Sequence, residues 1–147
     1  MKNKKMKTIA QQLKVKEFPF EFFDEEGNEI YYENSKGYWH KREYDSNGKV
    51  IYYKNSNGAW RKYEYDSEGN IIYLEDSDNY WQKRQYDSNG NPIYFENSKG
   101  YWEKREYDSE SNQIYYEDSD GNIDKREYDS NGNEIYRVDL DGYIEDN

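Results

Sequence analysis

The sequence predicts an all-β protein: an elongated, twisted or coiled antiparallel meander of about thirteen short strands built from 21-residue repeats, with a short helical or disordered segment before it. Three observations carry this. The chain aligns on itself with a 21-residue period, as IYYENSKGYWHKREYDSNGKV from Ile30 and IYYKNSNGAWRKYEYDSEGNI from Ile51. Each period holds two turn signals, NSKG, NSNG or DSDG and then DSNG or DSEG. Between them lie runs rich in Tyr, Trp and Ile, short enough for strands and too often interrupted for helices.

The elements follow in chain order. Residues 1–16 stand outside the repeat and carry six Lys and no acid. Within them Thr8 to Leu13 reads as one short helix with Ile9 and Leu13 four apart, capping the first sheet edge or fraying. A half-copy starts near Glu17, with Phe18 in the Trp39 column, Phe23 in the Tyr44 column and Gly27 in the Gly48 column. Full copies begin at Ile30, Ile51, Ile72, Ile93 and Ile114, and a truncated one at Ile135, making residues 17–147 a single repeat domain. Pro92 falls at the start of a strand, where its missing N–H is tolerated.

An odd period constrains the loops. Two odd loops of equal length would turn each repeat over, because one residue of slip exchanges the faces of a strand. The reading that avoids this gives the DSNG sites three-residue loops with Gly48, Gly69, Gly90 and Gly132 left-handed, Asp45 pairing with Lys49. It gives two-residue type I′ turns to Asn57-Gly58, Asp120-Gly121 and Asp141-Gly142, and less well to Lys36-Gly37 and Asp78-Asn79. Ser111 replaces glycine in one loop, which should be the weakest. In this register Ile30, Tyr32, Trp39, Lys41 and Glu43 share the inner face. Tyr31, Tyr38, His40, Arg42 and Tyr44 share an outer one, with guanidinium–tyrosine stacking.

Composition narrows the function classes. Leu, Ile, Val and Phe make up 14% of the 147 residues and the net charge is −11, values normal for disordered chains. Nineteen Tyr, four Trp and the strict repeat oppose that, since these rings bury large area around a polar handle. There is no cysteine, and no apolar stretch of the ~18–20 residues a membrane span needs. The basic start lacks the apolar run of a signal peptide, so a cytoplasmic protein without membrane contact is expected.

The stretch YDSNGKVIYYKNSNGAWRKYEYD, from Tyr44 to Asp66, resembles the YD-repeat, or rearrangement-hot-spot, family, and the likeness spans most of residues 17–144. The resemblance implies coiled β-hairpin architecture. Members of that family coil hundreds of residues into a hollow shell around a toxin or form large adhesion proteins. About six units cannot close such a shell, so the resemblance implies architecture and not toxin delivery. The repeat is more weakly similar to MORN-type repeats and to the aromatic repeats of bacterial cell-wall-binding modules.

Catalysis is not expected. The one histidine, His40, continues in its column as Arg61, Gln82, Glu103 and Asp124. Every serine within the repeats sits in a turn, and the carboxylates recur in columns, whereas an active site is a singular constellation. Asp118-Ser119-Asp120-Gly121 faintly resembles a calcium loop but lacks its twelve-residue spacing and final Glu. No metal or other cofactor is expected.

Binding is the remaining class. Residues 17–147 hold 15 basic and 32 acidic groups, a net −17 that disfavours direct nucleic-acid binding. Two acidic rims are expected, Asp45, Asp66, Asp87, Asp108 and Asp129 on one and Glu33, Asp76, Asp78, Asp118, Asp120 and Asp139 on the other. The candidate binding residues are Asp45, Asp66, Asp87, Asp108, Asp129, Asp76, Asp78, Asp118 and Asp120, the column Tyr31, Tyr52, Tyr73, Tyr94 and Tyr115, and Arg42, Arg84 and Arg105. They suggest a small acidic inhibitor of a nucleic-acid-handling, bacterial defence-type protein, with a protein as partner. A glycan- or cell-wall-binding surface module and a structural spacer are the alternatives, and the rims also serve solubility.

Overall fold

The structure, a computed structural model, describes residues 7–140. Among them are one helix, α1 (Ile9–Leu13), and twelve strands: β1 (Phe20–Phe23), β2 (Glu29–Glu33), β3 (Trp39–Tyr44), β4 (Val50–Asn55), β5 (Trp60–Tyr65), β6 (Ile71–Asp76), β7 (Trp81–Tyr86), β8 (Pro92–Asn97), β9 (Trp102–Tyr107), β10 (Gln113–Asp118), β11 (Ile123–Tyr128) and β12 (Glu134–Leu140). The strands follow one another in chain order in one antiparallel sheet. The all-β meander and the strand-initial Pro92 are as the sequence predicts; a thirteenth strand and the Asp141-Gly142 turn fall outside the described residues. Contacts divide the chain into two units, Met1–Tyr63 with Asp76–Asp78, and Glu64–Glu75 with Asn79–Asn147.

The loops correct one expectation. Every described hairpin loop has three residues, whichever of the two turn signals it carries. At the DSNG sites Asp45 N–H donates to the Lys49 carbonyl at 2.9 Å and Gly48 N–H to the Asp45 carbonyl at 3.1 Å. At the sites expected to be two-residue turns the pattern is the same: Asn55 N–H bonds the Ala59 carbonyl at 2.9 Å and Gly58 N–H the Asn55 carbonyl at 3.1 Å. The reason is the residue that opens each loop. Asn34, Asn55, Asn97 and Asp118 turn a side-chain oxygen onto the amide two residues on, at 2.9 Å in each case. That clip builds an Asx turn, closed by a residue with positive φ at Gly58 or Asn79.

Two odd loops should turn successive repeats over, and a bulge prevents it. Glu43 pairs with Tyr52 but Tyr44 with Val50, leaving Ile51 as the extra residue. The same step occurs at Ile30, Ile93, Ile114 and Ile135. The invariant isoleucine is therefore the residue that restores parity. Tyrosine hydroxyls fasten the site: Tyr44, Tyr86 and Tyr128 donate to the carbonyls of Glu29, Ile71 and Gln113, each just before an isoleucine.

The face assignment changes accordingly. Tyr31 pairs with Lys41 and Glu33 with Trp39, whereas Tyr32 pairs with His40. Directly opposed residues share a face, so the Tyr31 column lies with the Trp and Lys columns. The expectation that Tyr31, Tyr52, Tyr73, Tyr94 and Tyr115 share a face with Arg42, Arg84 and Arg105 is overturned. The arginines face the next tyrosine column instead: Arg42 opposes Tyr53, Arg84 opposes Phe95 and Arg105 opposes Tyr116. The tryptophans of each unit do stay on one side, since Lys54 pairs with both Lys41 and Trp60, and Glu96 with both Lys83 and Trp102.

Little is fully buried. The apolar residues buried among the described ones are Ala10 and Tyr31. Order comes from the strand ladder, the clipped turns and ring contacts across strands. The loops also tie neighbouring hairpins together, because the amides of Ser56 and Ser77 in one unit, and Ser98 and Ser119 in the other, reach the carbonyls of Trp39, Trp60, Trp81 and Trp102.

Helix α1 forms where the sequence places it, under a capping box in which Thr8 and Gln11 exchange side-chain bonds. Its anchor differs from the expected apolar pair: Ile9 and Leu13 are exposed and Ala10 is buried. The helix start is bound by the carboxylate of Glu33, which accepts from the Ala10 amide at 3.1 Å, from the Thr8 hydroxyl and from the Tyr31 hydroxyl at 2.8 Å. Glu33 is 2% exposed, so it is not a rim group. It holds α1 against β2 and contributes its charge to the helix N-terminus.

Candidate binding surface

The rim aspartates are first of all turn clips. Asp45 Oδ1 accepts from the amides of Asn47 and Lys49, both at 2.9 Å. Asp66, Asp87, Asp108 and Asp129 accept in addition from the side-chain amides of Asn70, Asn91, Asn112 and Asn133 at 2.9–3.0 Å. That amide, with backbone N–H groups behind it, holds all four carboxyls below the usual carboxylate range. On the opposite rim Asp76 and Asp118 clip their loops in the same way. Asp78 and Asp120 sit exposed at the second loop position. The rims are charged as expected, but only these two of the candidate aspartates lie free of a clipping role.

The face of Tyr31, Trp39 and Lys41 is built from cation–ring pairs. Lys62, Lys83 and Lys104 hold their ammonium groups 5.4, 5.1 and 5.0 Å from the ring centres of Trp60, Trp81 and Trp102, two residues earlier on the same strand. Lys41 and Lys125 lie over Tyr52 and Tyr115 from the neighbouring strand. Tyr94 donates to Glu96 and Tyr115 to Glu117, both at 3.1 Å. Burial, aided by those carboxylates, pushes both phenols up, so they remain neutral donors through the physiological range.

In the second unit this face opens into two grooves one repeat apart. The first, of about 970 Å³, is lined by Ile72, Tyr73, Lys83, Ile93, Tyr94 and Glu96, with Glu64, Asp66 and Glu68 at its border. The second, of about 600 Å³, shares Gln85, Ile93 and Tyr94 with it and continues to Lys104 and Tyr115. The structure thus brings Tyr73, Tyr94 and Tyr115 together over open space. It removes Tyr31 from the candidate surface, because that ring is 7% exposed and stacked on Trp39.

The opposite face is more closely interlocked, with a smaller groove of about 350 Å³ along Arg84, Phe95, Tyr101 and Arg105. His40 stacks on Tyr32 at 5.1 Å between centres and bonds Glu29 at 2.6 Å, with Tyr38 and Tyr53 on its other sides. The variable column of His40 gives no sign of this cage, which the flanking tyrosine columns could have signalled. Arg84 lies over Phe95 and Arg105 over Tyr116, and hydroxyls meet at 3.1 Å between Tyr38 and Tyr53 and between Tyr101 and Tyr116. Arg84 and Arg105 make these ring contacts and also line the grooves of the second unit. Among the described residues no group of three or more His, Asp or Glu is placed to hold a metal ion.

No protein-family model matches the chain, and no curated protein matches it. Solved structures do. The crystal structure of TcdB2-TccC3-TEV superposes with a TM-score of 0.58 at 16% identity, over 80% of this chain and 7% of that one. The fold is YD-repeat-like. The TcdB2-TccC3-Cdc42 structure gives 0.56 at 16% identity and TcdB2-TccC3 gives 0.55 at 17%, with the same coverage. The chain spans about 7% of the length of these structures, and at such identity the likeness is one of fold.

Proposed function

We propose that the chain is a repeat-based, non-catalytic binding module whose partner is a protein, working without a cofactor and in the cytoplasm. The observation that carries this is the pair of open grooves on the Tyr–Lys face, which presents the same tyrosines and lysine at successive repeats, Tyr73, Lys83 and Tyr94 in one and Tyr94, Lys104 and Tyr115 in the next. An open, periodic surface on a strongly acidic chain suits an elongated partner with complementary charge. A nucleic-acid-handling protein, inhibited through its basic surface, is the narrower form of this reading, supported by the net −17 of residues 17–147. The test is affinity capture with the wild-type chain and an Asp78→Lys, Asp120→Lys variant, whose exposed loop positions leave the turn clips intact. A specific protein lost by the variant is the expected result. Recovery of no protein, or equal recovery by both chains, counts against the reading.

A glycan-binding module is the second reading, favoured by the open setting of Tyr73 and Tyr94. Against it, Trp60, Trp81 and Trp102 already carry a lysine over the ring. Calorimetry against cell-wall oligosaccharides separates the two, since the first reading requires no heat.

A further inference from the structure

We propose that the grooves of the second unit take an extended, polyproline-II-like segment of a protein partner bearing lysine or arginine at every third residue. This rests on the binding-module reading and adds the chemistry of the ligand.

The argument starts from spacing. Tyr73, Tyr94 and Tyr115 stand on β6, β8 and β10, every second strand, so equivalent groups recur at roughly 9–10 Å across the strands. A polyproline II chain repeats after three residues at about 3.1 Å each, or about 9.3 Å. A chain crossing the strands therefore presents the same side-chain direction at each repeat. An extended β-strand has a side-chain period of two and falls out of step.

Chemistry agrees with spacing. Ile72, Tyr73, Ile93 and Tyr94 supply apolar and ring surface in one continuous groove, and tyrosine-lined grooves suit a chain that is stiff before it binds. The Tyr94–Glu96 pair, repeated as Tyr115–Glu117, sets a neutral hydroxyl and a carboxylate side by side at two successive steps. The first groove counts five carboxylates, Glu64, Asp66, Glu68, Asp87 and Glu96, against Lys83 and Arg84, so the acidic attraction acts there, whereas the second balances Asp87 and Glu106 against Lys104 and Arg105. Lys83 is itself held by Glu96 at 3.1 Å. A guest cation would meet Glu96 on one side and the Tyr94 ring on the other, and a polyanion would be repelled. Mass action at successive repeats then adds up along one ligand.

The experiment titrates the full chain with three fluorescent synthetic peptides: a Lys-Pro-Pro repeat, a peptide of the same composition with its lysines in one block, and a Glu-Pro-Pro repeat. The Lys-Pro-Pro repeat should bind at least about tenfold more tightly than the block peptide, and the Glu-Pro-Pro repeat not at all. Glu64→Lys and Glu106→Lys alter exposed positions and should each weaken the periodic peptide by several-fold without changing the circular dichroism. Tyr94→Ala should weaken it by about tenfold or more. Equal binding of the periodic and block peptides overturns the proposal, as does binding untouched by all three variants, or binding of cell-wall oligosaccharide with none of peptide. If the periodic peptide fails while affinity capture still finds a protein lost by the rim variant, the ligand chemistry falls and the module reading stands. If both fail, the module reading falls as well.

Discussion

At position 111 the chain breaks its own pattern, and the cost can be measured. Ser111 occupies a left-handed loop position with φ 66°, where the other five described loops of its column have glycine, at Gly27, Gly48, Gly69, Gly90 and Gly132. Its hydroxyl accepts from the Asn91 side chain at 3.0 Å, which links it to the loop one repeat earlier. Two substitutions separate these effects. Ser111→Ala loses the bond and keeps the backbone strain; Ser111→Gly loses the bond and relieves it. The glycine variant should exceed the alanine variant in unfolding free energy by about 1 kcal/mol, read from urea denaturation. Equal midpoints would show that the loop tolerates a Cβ without cost.

Single residues also show what the sequence could and could not reveal. The period, the Asp45–Lys49 pairing, Pro92 and the odd loop at Ser111 are legible because each is a local matter of turn chemistry. The side taken by Tyr31 is not. An odd repeat requires one residue to be absorbed somewhere, and periodicity alone does not say whether a loop or a strand absorbs it. Here Ile51 and its equivalents absorb it within the strand, so each tyrosine of the candidate column lies one step away from the expected face. Glu33 was hidden for a different reason. Its column reads Lys54, Glu75, Glu96 and Glu117, and only the tertiary position of α1 turns one member into a buried anchor.

The hairpin loop is the element on which pH acts. The Asp66, Asp87, Asp108 and Asp129 carboxyls are lowered first by the asparagine side chain four residues on. A carboxyl lowered on folding stabilises the native state above its unfolded pKa, near 3.9, and that contribution disappears as pH falls through the lower folded value. The loops should therefore hold constant from neutral pH to about 5 and weaken below about 4. Asn70→Ala should raise the Asp66 carboxyl toward its ordinary value and leave Asp129 unmoved, as followed by carboxyl carbon shifts in an NMR titration. Movement of both would mean that overall charge, rather than the clip, sets the value.

For the molecule as a whole, neighbours matter more than a centre. With so few buried apolar residues, stability is a sum of repeat and neighbour contributions, as in a solenoid. Deleting residues 93–113 removes one period and joins Pro92 to Ile114, keeping the residue order around the bulge. The shortened chain should retain its β circular dichroism and a cooperative urea transition at a lower midpoint. A collapse of the transition would point to long-range dependence that neighbour contacts do not provide. The lysines over Trp81 and Trp102 have a practical bearing on every binding measurement. Each of them also borders a groove, so an arriving guest that draws the ammonium away alters the indole's surroundings. Emission from those two tryptophans then reports occupancy with no dye attached, and mutating Trp39 and Trp60 to phenylalanine would silence the background.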